Sequence, residues 1–280
     1  MLLISRSVCA LHRLAAFSLR KLPGFLIFTL LNGYAAAGEN PVSGQFIDLT
    51  YAFDEDTIYW PTAEPFELEV VFKGENERGY HYEANNFSAA EHGGTHMDAP
   101  AHFYRDRHTM EEIPLERLIS EAVLVDVSTR CSDDPDCQID VDDLKAWEAQ
   151  NDMRLDHAVV LLRTGWGRFW PDRSRYMGTT ERGEEAIAKL RFPGLHPDAA
   201  RWLAEQRVVK AVGLDTPSID FGRSRDFGSH VALSRQNIPI FENLANLDRL
   251  PPTGFTVVAL PMKIRGGSGG PLRIIAVLPD

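Results

Sequence analysis

The run Glu91-His92-Gly93-Gly94-Thr95-His96-Met97-Asp98-Ala99-Pro100-Ala101-His102-Phe103 places three of the chain's nine histidines and one aspartate within eleven residues. Gly93 and Gly94 disfavour a helix, because glycine supplies the positive φ of a tight turn and weakens a helix interior. Pro100 biases Ala99 toward an extended conformation. Alternate side chains of an extended segment share a face, so His96, Asp98 and His102 are predicted to point the same way, with the Gly-Gly bend folding His92 back toward them. Imidazole plus carboxylate suits Zn2+ or Mn2+, and three protein ligands leave a position open for water or substrate, as a catalytic site requires. The expected ligands are His92, His96 and Asp98, with His102 beside them as acid/base. The competing reading is a glycine-rich turn that happens to carry surface histidines.

The same run resembles the signature of the metal-dependent cyclase family, His-x-Gly-Thr-His-x-Asp-x-Pro-x-His. It is met at His92, Gly94, Thr95, His96, Asp98, Pro100 and His102. That family includes kynurenine formamidase and isatin hydrolase types, and the similarity runs from about Phe46 to Leu278. It implies a β-barrel-like sheet with flanking helices, homodimers, and a pocket mouth near Trp60, the candidate substrate contact. It also implies further ligands at His230 and Glu242, which match a second family motif. With Glu242 present, one or two ions are expected, the second sharing Asp98. The implied reaction is hydrolysis of a small aromatic amide, linear or cyclic, at a non-peptide C–N bond. The Gly213–Asp220 stretch is nearer the isatin hydrolase type, whereas Glu242 suits the formamidase pattern. Two other functions stay open: a secreted metal- or ligand-binding protein without turnover, and a cyclase acting on a C–O ring.

Several elements must position these residues. Gln45–Thr50 reads as a first strand and Pro65–Phe72 as an alternating one. Tyr80–Ser88 is the strand feeding the histidine loop. Ala122–Val127 and Ala158–Thr164 are apolar runs expected of strands covered on both faces. Gly165-Trp166-Gly167-Arg168-Phe169-Trp170 follows as an aromatic strand end, expected to wall a pocket for a planar ligand or to make a dimer contact. Ile113–Leu118, Val141–Glu148 and His196–Glu205 read as helices, the first with Pro114 in its opening turn. Val208–Asp215 is a further strand, His230 begins a helix, and Ile238–Phe241 is a short strand ending at Glu242. Gly254–Pro261 and Gly266–Val277 are two strands around a glycine-rich turn, weak as a phosphate cradle because a strand follows it. Strands outnumber helices without strict alternation, so the fold class is mixed α/β.

Composition bounds the rest. Hydrophobic residues at 44% and charged residues at 25% are ordinary for a globular chain. A net charge of −11 argues against a nucleic-acid partner and against a basic membrane-surface helix. Residues 1–38 lack Asp and Glu, carry Arg6, Arg13, Arg20 and Lys21, then run apolar from Leu22 to Leu31 before Ala35-Ala36-Ala37-Gly38. This pattern reads as a secretory signal, too short and broken to span a bilayer, with a mitochondrial presequence as the alternative. Residues 39–280 then form one mature domain with no membrane insertion of its own. Cys131 and Cys137 remain in it, in a polar loop where a small disulfide can close.

Overall fold

An uninterrupted apolar run such as Val159-Val160-Leu161-Leu162 must be covered on both faces. The computed structural model of the chain, which describes residues 43–280, covers it with a closed ring of strands. Residues 1–38, expected to be a targeting segment, lie outside the described residues. The strands are β1 (Gln45–Asp48), β2 (Glu67–Glu75), β3 (His81–Ser88), β4 (His96–Asp98), β5 (Ile119–Asp126), β6 (Gln138–Ile139), β7 (Val159–Arg163), β8 (Gly194–Leu195), β9 (Ala211–Leu214), β10 (Ile240–Glu242), β11 (Phe255–Pro261) and β12 (Gly269–Leu278). The order β12-β11-β5-β7-β9-β10-β4 returns to β12, so seven strands close on themselves and β1 adds to β12 outside the ring. The four strands β5, β7, β9 and β10 run parallel; the other ring neighbours are antiparallel. The expected mixed α/β barrel-like core is the fold observed.

Alternation along each strand splits the core in two. Met97, Leu161, Phe241, Val257 and Ile274, with partners from every ring strand, fill the lumen. Val160, Leu162, Val212, Leu214 and Ile240 point outward against Leu144, Trp147, Trp202, Leu203 and Leu233 of the flanking helices. Those helices include Val141–Asn151, Pro197–Trp202 and Gly228–Arg235. The first is closed at its start by Asp140, whose side chain accepts from the Asp142 and Asp143 N–H groups. Among the described residues no helix is long and apolar enough to cross a membrane.

Some sequence expectations shift. β2 starts at Glu67 rather than Pro65 and runs on to Glu75. The short helix is Leu115–Leu118, with Pro114 as its N-cap rather than inside the first turn. The larger correction concerns the aromatic strand end. Trp166 and Phe169 do not wall the histidine cavity; they fill a satellite core with Ile58, Tyr176, Met177, Leu190 and Phe192. Trp170 packs against the same core and stacks on Tyr51, ring centroids 4.3 Å apart, lining a separate cavity with Gly165, Gly167 and Arg168. Large rings next to a strand terminus found apolar company from a neighbouring loop, which strand-by-strand reading does not see. Cys131 and Cys137 are joined as a disulfide.

Candidate metal centre and cavity

β4 is three residues long and closes the ring, pairing with β10 on one edge and β12 on the other. Its middle residue, Met97, faces the lumen, so His96 and Asp98 face outward beneath the helix Gly228–Arg235. Antiparallel register places Glu242 opposite His96, on the same outer face. His230, third residue of that helix, closes the group from above. The site therefore sits on the outside of the barrel, between sheet and helix.

The distances describe a tight donor cluster. Asp98 Oδ1 lies 2.7 Å from His92 Nδ1 and 3.2 Å from His96 Nε2, and Asp98 Oδ2 lies 3.1 Å from His230 Nε2. Glu242 Oε1 is 3.3 Å from His230 Nε2, and its Oε2 is 3.5 Å from His96 Nε2. Two groups of three result, His92–His96–Asp98 and Asp98–His230–Glu242, in each of which the ligand atoms lie within 4.8 Å of one another. Asp98 belongs to both. All five sequence-predicted ligands are thus brought together, the Gly-Gly bend returning His92 to the face of His96 and Asp98 as expected.

The outer nitrogen of each imidazole is occupied. His96 Nδ1 donates to the Gly94 carbonyl (3.0 Å) and His230 Nδ1 to Asp220 (2.7 Å), which also accepts the backbone N–H groups of Ser229 and His230. Such bonds turn the Nε2 lone pairs inward. Lone pairs facing carboxylates at these separations fit a divalent cation between them. The electrostatics say the same. Burial opposes charge on His96, but Asp98 and Glu242 outweigh it and raise its pKa; burial likewise opposes charge on His230, which Asp220, Asp98 and Glu242 raise well above the usual imidazole value. Asp98 is held well below the carboxylate range, despite burial, by His92, His230 and His96. Glu242 is pushed up by burial and by the charge of Asp98. A positive ion would relieve that repulsion.

His102 reaches the same cavity by a route not foreseen. The extended segment ends at Asp98, and Pro100–His102 is a 3-10 turn, so strand alternation does not carry His102 to the face. Pro100 at the start of that turn, with φ preset for it, ends the strand. The turn swings the ring over His92, centroids 3.8 Å apart and planes 18° from parallel. His102 is open to the cavity yet ringed by protein, and burial lowers its pKa to about 4, with Asp98 opposing.

The cavity above the cluster measures about 310 Å³ and is lined by Tyr59, Trp60, Phe103, Met177 and Phe227 besides the donors and His102. Trp60 is where the resemblance placed it. Phe103 packs on His230 at 4.2 Å and on Phe227 at 5.2 Å. Phe227 holds φ 49°, a left-handed conformation that costs a bulky residue roughly 1–3 kcal/mol and clusters at ligand sites. Sequence reasoning missed Phe227, Met177 and Asn243. Nothing local marks them, although Phe103 adjoins His102. Thr95, a fixed position of the signature, accepts the Tyr51 N–H and donates to the Asn243 carbonyl at 2.7 Å. Asp215 is occupied elsewhere, capping the strand end at Thr164 and Gly165.

A family model described as putative cyclase matches residues 47–221. The chain belongs to the cyclase family. Isatin hydrolase of Roseibium aggregatum is 33% identical over 198 residues, 68% of this chain and 72% of that one. Kynurenine formamidase of Bacillus mycoides is 27% identical and covers 83% of this chain and 97% of its own. Among solved structures, isatin hydrolase A from Ralstonia solanacearum superposes with a TM-score of 0.75 at 33% identity, over 84% of this chain and 92% of that one. Within this cyclase-family chain the matched segment contains His92, His96, Asp98, His102 and Asp220; His230 and Glu242 lie beyond its end, joined to the site by the fold.

Proposed function

We propose that this cyclase-family chain is a metal-dependent hydrolase of a small aryl amide. The observation carrying the reading is the pair of His/carboxylate groups sharing Asp98 on the floor of an aromatic-walled cavity, with His102 beside them. The names of its relatives, isatin hydrolase and kynurenine formamidase, support the substrate class. His92, His96 and Asp98 would hold one Mn2+ or Zn2+, and Asp98, His230 and Glu242 a second. Such an ion supplies Lewis-acid polarisation of a carbonyl and acidifies water.

The chain's own groups do the rest. Trp60, Phe103 and Phe227 orient a flat aromatic ring and keep bulk water from it. His102, neutral at physiological pH, takes a proton from the attacking water and delivers it to the leaving nitrogen as the C–N bond breaks. Gly94 and Asp220 keep His96 and His230 in the tautomers that face the donors. The reading extends to the assembly and its address. The β2–β3 hairpin exposes Leu68, Val70, Phe72, Tyr82 and Phe87, an apolar surface that suits a homodimer contact. Residues 39–280 form the mature domain, exported after loss of 1–38. The short apolar run ending in Ala35-Ala36-Ala37-Gly38 and the Cys131–Cys137 disulfide favour an oxidising compartment over the mitochondrial alternative.

Metal analysis of purified mature protein, combined with turnover assays on isatin and N-formylkynurenine, tests this function. Bound Mn2+ or Zn2+ and consumption of either substrate, abolished by chelation and restored by the ion, is the expected result. Metal bound with neither substrate consumed would shift the reading to a metal-binding protein or a C–O cyclase.

A further inference from the structure

The glycine-rich turn before β12 lies against the first histidine of the site. Gly269 pairs with Asp98, and a Cβ there would lie 2.4 Å from the His92 ring. A side chain at this position would therefore displace the imidazole. The neighbouring Ser268 hydroxyl stands 3.0 Å from His92 Nε2 and 2.6 Å from Glu91 Oε2, and Ser268 N–H donates to the same carboxylate oxygen at 3.0 Å. The turn is anchored by its own backbone, the Ser268 carbonyl accepting from Ala99 N–H at 2.8 Å and the Gly267 carbonyl from Met110 N–H at 3.0 Å.

The direction of this chain of bonds follows from donor capacity. A carboxylate only accepts, so Ser268 O–H donates to Glu91. The hydroxyl oxygen is then left as the acceptor for His92 Nε2–H, which puts the lone pair of His92 on Nδ1, toward Asp98. His92 needs such a brace more than the other ligands. Its side chain is 23% exposed, against 3–5% for His96, Asp98, His230 and Glu242. His96 and His230 are braced separately, by Gly94 and Asp220.

We propose that Glu91 and Ser268 are a positioning pair for His92, setting affinity for the cation that His92 helps to hold while leaving the Asp98–His230–Glu242 position as it is. The proposal rests on the metal-site reading above. The test titrates Zn2+ into metal-free wild type, His92→Ala, Ser268→Ala, Ser268→Thr and Glu91→Gln against a chelating indicator, with circular dichroism confirming that each variant is folded. Ser268→Ala is expected to weaken by about 10–100-fold the same binding event that His92→Ala removes, the usual effect of losing such a brace. Ser268→Thr, which keeps the hydroxyl, should restore it. Glu91→Gln should fall between, because an amide can reverse the direction of donation. Any other ion bound by the wild type should keep its affinity throughout. Affinity unchanged in Ser268→Ala, not rescued by Thr, or weakened equally at every site overturns the proposal while leaving the metal reading intact. A wild type that takes up no Zn2+ fails the metal reading itself.

Discussion

His102 suits proton transfer because of what surrounds it. It stacks on one expected ligand, His92, and stands outside both donor groups, so its ring nitrogens are not committed to them. The lowering of its pKa to about 4, mainly by burial, keeps the ring unprotonated throughout the neutral range, a weaker base than a free imidazole but one with its lone pair available. Protonation fills that lone pair only as pH falls toward 4, not through the ordinary imidazole range near 6.5. Accordingly, kcat/KM measured with saturating cation should hold its plateau through pH 6. His102→Ala should cut kcat by about 10²–10⁴-fold, the usual share of a positioned acid/base, while metal analysis finds the ion content unchanged. Loss of the ion in that variant would make His102 a ligand instead. His92, His96 and Asp98 were legible in the linear sequence by type and offset, whereas His230 and Glu242 were reached only through the resemblance to the cyclase family, since neither carries a local signal. The placement of His102 was not legible, because a single proline exchanged a strand for a turn between Asp98 and the histidine.

At the level of elements, β4 explains why so short a strand carries so much. It closes the ring, so both of its edges are bonded and its outward residues are held in register against Glu242 and Gly269. The β2–β3 hairpin behaves in the opposite way. Its strands are paired only with each other, and its large apolar side chains are exposed, Leu68 at 59% and Phe87 directly opposite at 56%. An isolated two-stranded ribbon is marginal in water and gains from a covering surface. Replacing both with aspartate (Leu68→Asp, Phe87→Asp) should therefore convert a dimer to a monomer in light scattering, with Zn2+ uptake retained. A dimer that persists would put the contact elsewhere. The alternation of β2 and the strand character of β3 were readable beforehand; that their large apolar side chains stay exposed among the described residues was not, since period-2 patterning does not say what lies above a sheet.

Across the whole molecule, the donor cluster joins β4, β10, the loop before β4 and the helix Gly228–Arg235, segments brought together only by folding. An ion bound there binds the folded state alone and stabilises it by mass action. Zn2+ or Mn2+ at 100 times its Kd contributes about 2.7 kcal/mol. For a domain of this size that should raise the Tm of chelator-treated protein by roughly 5–10 °C in a thermal-shift assay. No shift with either ion would argue against the site. The metal signature, the barrel-forming strands and the cysteine pairing could be read from order and residue type, because each depends on neighbours a few positions away. The outward face that the site occupies, the aromatic wall with Phe227 and the brace from Ser268 were decided only in three dimensions. They join residues up to 177 positions apart, and ring closure with strand register, not local preference, sets which of those distant side chains meet.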